Sequence, residues 1–193
     1  MLAKIRVFIG ELLETVLISL LIIVPVRYFI IQPFFVKGQS MEPNFHDNDY
    51  LIVDELSYRL RVPERGEVIV LKSEVLQNQF LIKRIVGLPG ETIQIQNGRV
   101  MIFNAQDPQG FVLDEPYLAP GEVTDGNEKV SLGPDQYFVM GDNRRFSYDS
   151  RRWGTLTRSD IVGRAWIRLW PISSAKIFAA PAYPSPEPIA SGT

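Results

Sequence analysis

Ser40 stands in the segment VKGQSMEPNF, with Gly38 before it and Pro43 after it, so it falls on a constrained turn. A serine hydroxyl becomes a nucleophile only when a neighbouring base takes its proton. The chain has one histidine, His46, in the run FHDND, whose short polar residues read as a solvated turn. A lysine can serve instead if it is neutral at working pH, which requires that its amine be stripped of water.

Lys83, in QFLIKRIV, is the candidate. On a strand, Leu81, Lys83 and Ile85 share one face, while Phe80, Ile82, Arg84 and Val86 share the other. Buried between leucine and isoleucine, this amine is pushed toward neutrality; on an edge strand it reaches out to water instead. Spacing alone leaves both readings open. Arg84, on the opposite face, calls for an acidic partner. A third cluster, MGDNRRFSYDSRRWG from Met140 to Gly154, gathers Asp142, Asn143, Arg144, Ser147, Asp149, Ser150 and Arg151. Such density of short polar groups builds a hydrogen-bonded loop, either as a plain connection or as a support that orients a nucleophile and its base. The absence of cysteine excludes thiol catalysis, disulfides and cysteine-based zinc sites.

These groups need a rigid body to hold them, and 193 residues, 46% apolar and 22% charged, suffice for one domain with a real core. A net charge of −2 offers no basic field for nucleic acid. A mean hydropathy of +0.02 fits neither a wholly disordered chain nor a polytopic membrane protein. The exception is local. TVLISLLIIVPV (Thr15–Val26) carries no charge, and RYFIIQPFF extends it with Arg27 alone. All-round apolarity over this length predicts one transmembrane anchor. The bulky residues that follow offer no small-x-small site, so the anchor is expected to stay uncleaved. Lys4 and Arg6 ahead of the span place the N-terminus on the cytoplasmic side and the body on the far side.

Beyond the anchor the period changes to alternation. Strands are predicted at 49–54, 67–72, 79–86, 91–96, 99–103, 136–140 and 162–170. Asn97-Gly98 predicts a tight hairpin, and Pro89-Gly90 a turn of type II. Helix is expected only at ELSYRL and after Thr157 or Ser159. The expected organisation is a stub and anchor over 1–35, then a β-rich domain over 36–178 with a long loop or loose hairpin around 104–135. A tail over 179–193 is expected to be disordered.

Taken together, GQSMEPNF, FLIKRIVGLPGE and GDNRRFSYDSR, in that order after an N-terminal span, resemble the type I signal peptidases, and LDEPYL and IVGRAWIRLWP do so too. The resemblance covers the chain from the anchor to about Pro171. It implies a mainly β, antiparallel and partly barrel-like catalytic domain at the cell membrane, facing the extracytoplasmic side. Exported preproteins and the lipid bilayer are the implied partners, and no metal or cofactor is implied. Ser40 is then the nucleophile and Lys83 its general base, with Ser147 orienting the lysine. Arg84 with Asp142, and Arg151 with Asp149, are implied as supporting ion pairs. Val36, Met41, Phe45, Leu81 and Ile82 fall where the family lines shallow pockets for small residues. Where some members carry a serine that helps stabilise the oxyanion, this chain has Gly38, which leaves that role to the Ser40 amide. Phe146 stands where the family's last motif often has asparagine. Self-cleaving repressors resemble the same core but lack an anchor, and a tethered β-domain that binds exported chains without cutting them is the non-enzymatic alternative.

Overall fold

The computed structural model describes residues 2–29, 31–73, 76, 77, 79–181 and 183. Helix α1 (Leu2–Phe29) leads the chain. Its stretch Lys4–Val24 is long and apolar enough to cross a membrane, and none of it is buried against the body. The apolar run does not stay helical to residue 35, as the sequence pattern suggested. It breaks into an edge strand, β1 (Ile31–Phe35), which pairs antiparallel with β2 (Tyr50–Asp54). Pro33 is tolerated there because an edge strand can spare an N–H.

The remaining strands are β3 (Val68–Ser73), β4 (Gln79–Gly87), β5 (Thr92–Gln96), β6 (Arg99–Phe103), β7 (Phe111–Val112), β8 (Glu128–Ser131), β9 (Gln136–Met140), β10 (Leu156–Thr157), β11 (Ile161–Trp170) and β12 (Lys176–Ile177). They form two antiparallel sheets. The larger runs β1-β2-β11-β3-β4-β9-β10, with β12 on β11, and the smaller runs β7-β6-β5-β8. The larger sheet ends in two edges, so the body is not a closed barrel.

Alternation explains the main strands. In β2 and β5 every second residue is buried, while β3 and the second half of β4 are buried almost throughout. Asn97 (φ 54°) and Gly98 (φ 77°) both take positive φ, as the two-residue β5–β6 hairpin requires. Gly90 at φ 80° and the hydrogen bond from the Glu91 N–H to the Leu88 carbonyl complete the type II turn. Helix α2 (Ser57–Leu60) lies in ELSYRL, whereas the segment after Thr157 is a single 3-10 turn without a side-chain cap. Helix α3 (Ser150–Trp153) forms inside the polar cluster, with Asp149 as its N-cap accepting from the Arg151 N–H. The stretch 104–135 holds β7 and β8, which complete the smaller sheet.

Three apolar clusters fill the body. One, around Ile93, Ile102, Phe138 and Met140, joins the two sheets. The second holds Ile69, Leu71, Ile85 and Val139, and the third holds Val36, Met41, Phe45, Leu51 and Ile82. Strand β4 feeds all three, because successive side chains leave it in opposite directions. At the end of the β-rich domain Phe178 stacks on Phe45 at 4.3 Å. Part of the segment expected as tail is also placed on this body, with Pro181 and Tyr183 against Gly66. Residues 182 and 184–193 of that expected tail lie outside the described residues.

Phe138 is wholly buried between the sheets. Phe138→Ala is therefore expected to destabilise the protein by about 3–5 kcal/mol, read as a lowered urea midpoint with unchanged slope.

Candidate active site

The loop between β1 and β2 carries Ser40, and its shape is set by hydrogen bonds. Val36 and Asp49 close its base, where the Val36 N–H donates to the Asp49 carbonyl at 2.9 Å. At its tip the Met41 carbonyl accepts from the N–H groups of Asn44 and Phe45. Met41 (1% exposed) and Phe45 (0%) plug the turn into the third apolar cluster. Buried Arg168 from β11 fastens the rear, donating to the Asp49 carboxylate at 2.7 Å and to the Asn44 carbonyl at 3.1 Å. Gly38 takes φ +85°, and its amide donates to Asp47 Oδ1 at 2.8 Å. The Gly38 amide is thereby occupied. Among the described residues the Ser40 N–H donates to no protein acceptor.

Strand β4 presents Lys83 to this turn. The two residues are 43 apart in the chain, yet Lys83 Nζ lies 2.8 Å from Ser40 Oγ. A second bond, also 2.8 Å, runs from Nζ to the Ile82 carbonyl. The lysine is only 3% exposed. Burial depresses its pKa from the ordinary 10.5 to about 8, against an upward pull from the charges of Asp149 and Asp142. His46, by contrast, is exposed.

That upward pull is weak because each carboxylate already has a cation. Asp142 is held by Arg84 at both oxygens, Nε to Oδ1 at 2.7 Å and the terminal nitrogen to Oδ2 at 2.6 Å, in a buried pair. Asn44 adds a bond to Oδ2 at 2.8 Å. Burial alone would raise Asp149, but the hydrogen bond and charge of Arg151, with the Gly141 N–H, hold it below the usual carboxylate range. The alternation of β4 thus sends Lys83 to Ser40 and Arg84 to Asp142, an acid that would otherwise stabilise the lysine's charge.

The polar cluster after β9 wraps the nucleophile turn. The Asn143 N–H donates to the Ser40 carbonyl at 3.0 Å, and its side-chain amide donates to the Gln39 carbonyl at 3.1 Å. Gly141 lies so close that a Cβ there would collide with both the Ser40 carbonyl oxygen and Ser147 Oγ. Ser147 is placed beside Gly141 and Asp149, where it helps hold the Asp149 carboxyl down, and it makes no hydrogen bond to Lys83, whose amine donates to the Ile82 carbonyl and the Ser40 hydroxyl.

Several supports were given no partner from sequence. Arg144 is buried, paired with Glu115, bonded to the Thr124 hydroxyl, and donates to the Gly141 carbonyl at 3.1 Å. The Tyr117 ring lies 4.0 Å from the Arg84 guanidinium. Glu115 and Tyr117 belong to LDEPYL, and an acid facing an arginine-rich loop was the available signal.

Beside the dyad runs a groove of about 310 Å³, lined by Phe34, Phe80, Leu81, Ile82 and Val36 and reaching Ser40 and Lys83. Of the predicted pocket residues, Val36, Leu81 and Ile82 line it, while Met41 and Phe45 lie beneath as packing. Strand β4 pairs with β9 only from Arg84 onward, so residues 79–83 leave one backbone edge unpaired along this groove. Among the described residues no group of three or more metal-ligating side chains is gathered.

Residues 9–170 match the family model described as signal peptidase, peptidase S26. A probable signal peptidase I-2 of Synechocystis is 40% identical over 84% of this chain and 73% of its own length. Signal peptidase I of Leptolyngbya laminosa is 39% identical over 84% of this chain and 80% of its own. A crystal structure of a signal peptidase I from Enterococcus faecalis aligns with a TM-score of 0.45 and 27% identity, covering 54% of this chain and 97% of the other.

The folded pKa of Lys83 lies below its unfolded value, so the buried amine destabilises the fold below pH 8, and this cost fades as the pH rises from about 8 toward 10.5. Lys83→Met is accordingly expected to melt at or above the wild-type temperature at pH 7, an advantage that shrinks by pH 10. A lower melting temperature at pH 7 contradicts it.

Proposed function

Since the chain belongs to the signal peptidase family, peptidase S26, a family of hydrolases that act on signal peptides, we propose that it cuts exported preproteins through a Ser40/Lys83 dyad while anchored in the membrane by α1. The observation that carries this reading is the 2.8 Å contact between Lys83 Nζ and Ser40 Oγ, made by an amine removed from water.

The exported chain lies extended in the groove and pairs its backbone with the unpaired edge of β4. Small side chains at the first and third positions before the cut sit against Val36, Leu81 and Ile82. Neutral Lys83 accepts the hydroxyl proton as Ser40 Oγ attacks the scissile carbonyl, and the oxyanion takes a hydrogen bond from the Ser40 N–H. The C–N bond then breaks, Lys83 returns the proton to the departing amine, and the leader peptide remains as an ester on Ser40. A water deprotonated by Lys83 attacks that ester and frees the leader as its carboxylate. Arg84, Asp142, Asp149 and Arg151 hold the surroundings of the dyad in place.

The span Lys4–Val24 covers about 31 Å at 1.5 Å per residue, close to the hydrocarbon thickness of a bilayer. With the N-terminus in the cytoplasm and residues 36–178 on the opposite side, the dyad is tethered near the surface where a leader's cleavage site emerges. Such tethering raises the effective concentration of enzyme and substrate.

A preprotein with an Ala-x-Ala site, incubated with the detergent-solubilised protein, is expected to yield two fragments. Ser40→Ala and Lys83→Ala are expected to lower the rate by at least a thousandfold, at about the level of losing a catalytic nucleophile or base, whereas His46→Ala retains cleavage. The value of kcat/KM is expected to rise about tenfold per pH unit below pH 8 and to level above it, as Lys83 loses its proton. Cleavage that survives Lys83→Ala and is lost with His46→Ala contradicts the dyad. Binding of the preprotein without any cut contradicts proteolysis.

A further inference from the structure

The groove beside Ser40 does not end at the pocket for small residues. At its far end Phe34 from β1 and Phe80 from β4 meet edge to face, with ring centroids 5.3 Å apart. Phe80 is 53% exposed although it sits in mid-sheet, and Phe35 beside it is 64% exposed. Alternation puts Phe80 on the same side of β4 as Ile82, so both side chains face one channel.

The distances place this aromatic pair along the path of an extended substrate. Phe80 is three residues from Lys83, about 10 Å along a strand at roughly 3.3 Å per residue. An extended peptide whose scissile carbonyl meets Ser40 Oγ places its third residue before the cut about 7 Å upstream, and its fourth and fifth about 10 and 13 Å upstream. On that scale the third residue falls beside Leu81 and the fourth beside Phe80, with the fifth one step further along the groove. The rings themselves are uncharged, while Lys37 lines the same groove and exposed Lys72 stands opposite Phe80 on β3. An apolar side chain there covers exposed ring surface, whereas a small hydroxyl side chain covers less of it.

We propose that Phe34 and Phe80 form a further specificity site, which selects an apolar side chain at the fourth or fifth residue before the cut. The inference rests on the proteolytic reading above and adds a determinant beyond the small-residue pocket. Because the pair touches the substrate far from the scissile bond, its contribution falls mainly on KM.

The test uses the full-length protein in detergent and a peptide series with alanine fixed at the first and third positions before the cut. The fourth and fifth positions carry leucine or serine. Wild type is expected to prefer leucine over serine by about five- to tenfold in kcat/KM, chiefly through KM, a modest ratio typical of partly buried apolar contacts. Phe80→Ser is expected to bring that ratio below twofold, and Phe80→Leu to keep most of it. Equal rates for leucine and serine in wild type, or an undiminished preference in Phe80→Ser, overturn the specificity site while leaving the dyad intact. Failure of wild type to cut any member of the series overturns the proteolytic reading itself, and the specificity site with it.

Discussion

A lysine amine held out of water against a serine hydroxyl is a costly arrangement, and most of this structure can be understood as what makes it tolerable. Burial alone favours the neutral amine. A free carboxylate within a few ångströms would undo that by stabilising the ammonium, and the loop after β9 brings two carboxylates close. Both are already matched, Asp142 by Arg84 and Asp149 by Arg151, each through paired hydrogen bonds. The guanidinium groups act as shields: they let the loop be polar enough to hydrogen-bond the nucleophile turn without returning a proton to the base.

The fold delivers these parts through strand alternation and close packing of backbone. On β4, Lys83 and Arg84 are adjacent in sequence and opposite in direction, so one strand supplies both the buried amine and the cation that engages Asp142. The nucleophile turn is gripped on several sides. Arg168 holds its rear, Met41 and Phe45 its apolar base, and Asn143 the carbonyl of Ser40 itself. Gly141 permits the closest approach, because any side chain there would collide with the Ser40 carbonyl and the Ser147 hydroxyl. Each grip is long-range in sequence, so the catalytic geometry is a property of the completed sheet and not of any single motif.

How much of this was legible beforehand follows from that difference between local and long-range. The strands around Leu51, Ile93 and Val139 announced themselves by alternation, and Asn97-Gly98 by its turn chemistry, since both signals are carried by neighbouring residues. Ser40 and Lys83 could be nominated one by one, and the family resemblance joined them. Spacing could not, because whether Lys83 snorkels or is buried depends on strands and loops far away in the chain. The same limit hid the pairing of Arg144 with Glu115 and the packing of Phe178 on Phe45. The switch from α1 to β1 was missed for another reason: IIQPFF is apolar in either state, and only pairing with β2 decides between them. Ser147 shows the reverse case, a role carried in by resemblance that the observed hydrogen bonds do not display.

The charge state of one amine is the centre of the account. It can be observed directly by nuclear magnetic resonance titration of the Lys83 side chain, labelled at its ε-carbon and nitrogen, in detergent micelles. The account predicts a midpoint near pH 8, well below the ordinary lysine value of 10.5. A midpoint at or above 10, with the resonance of a freely moving solvated ammonium, would contradict it.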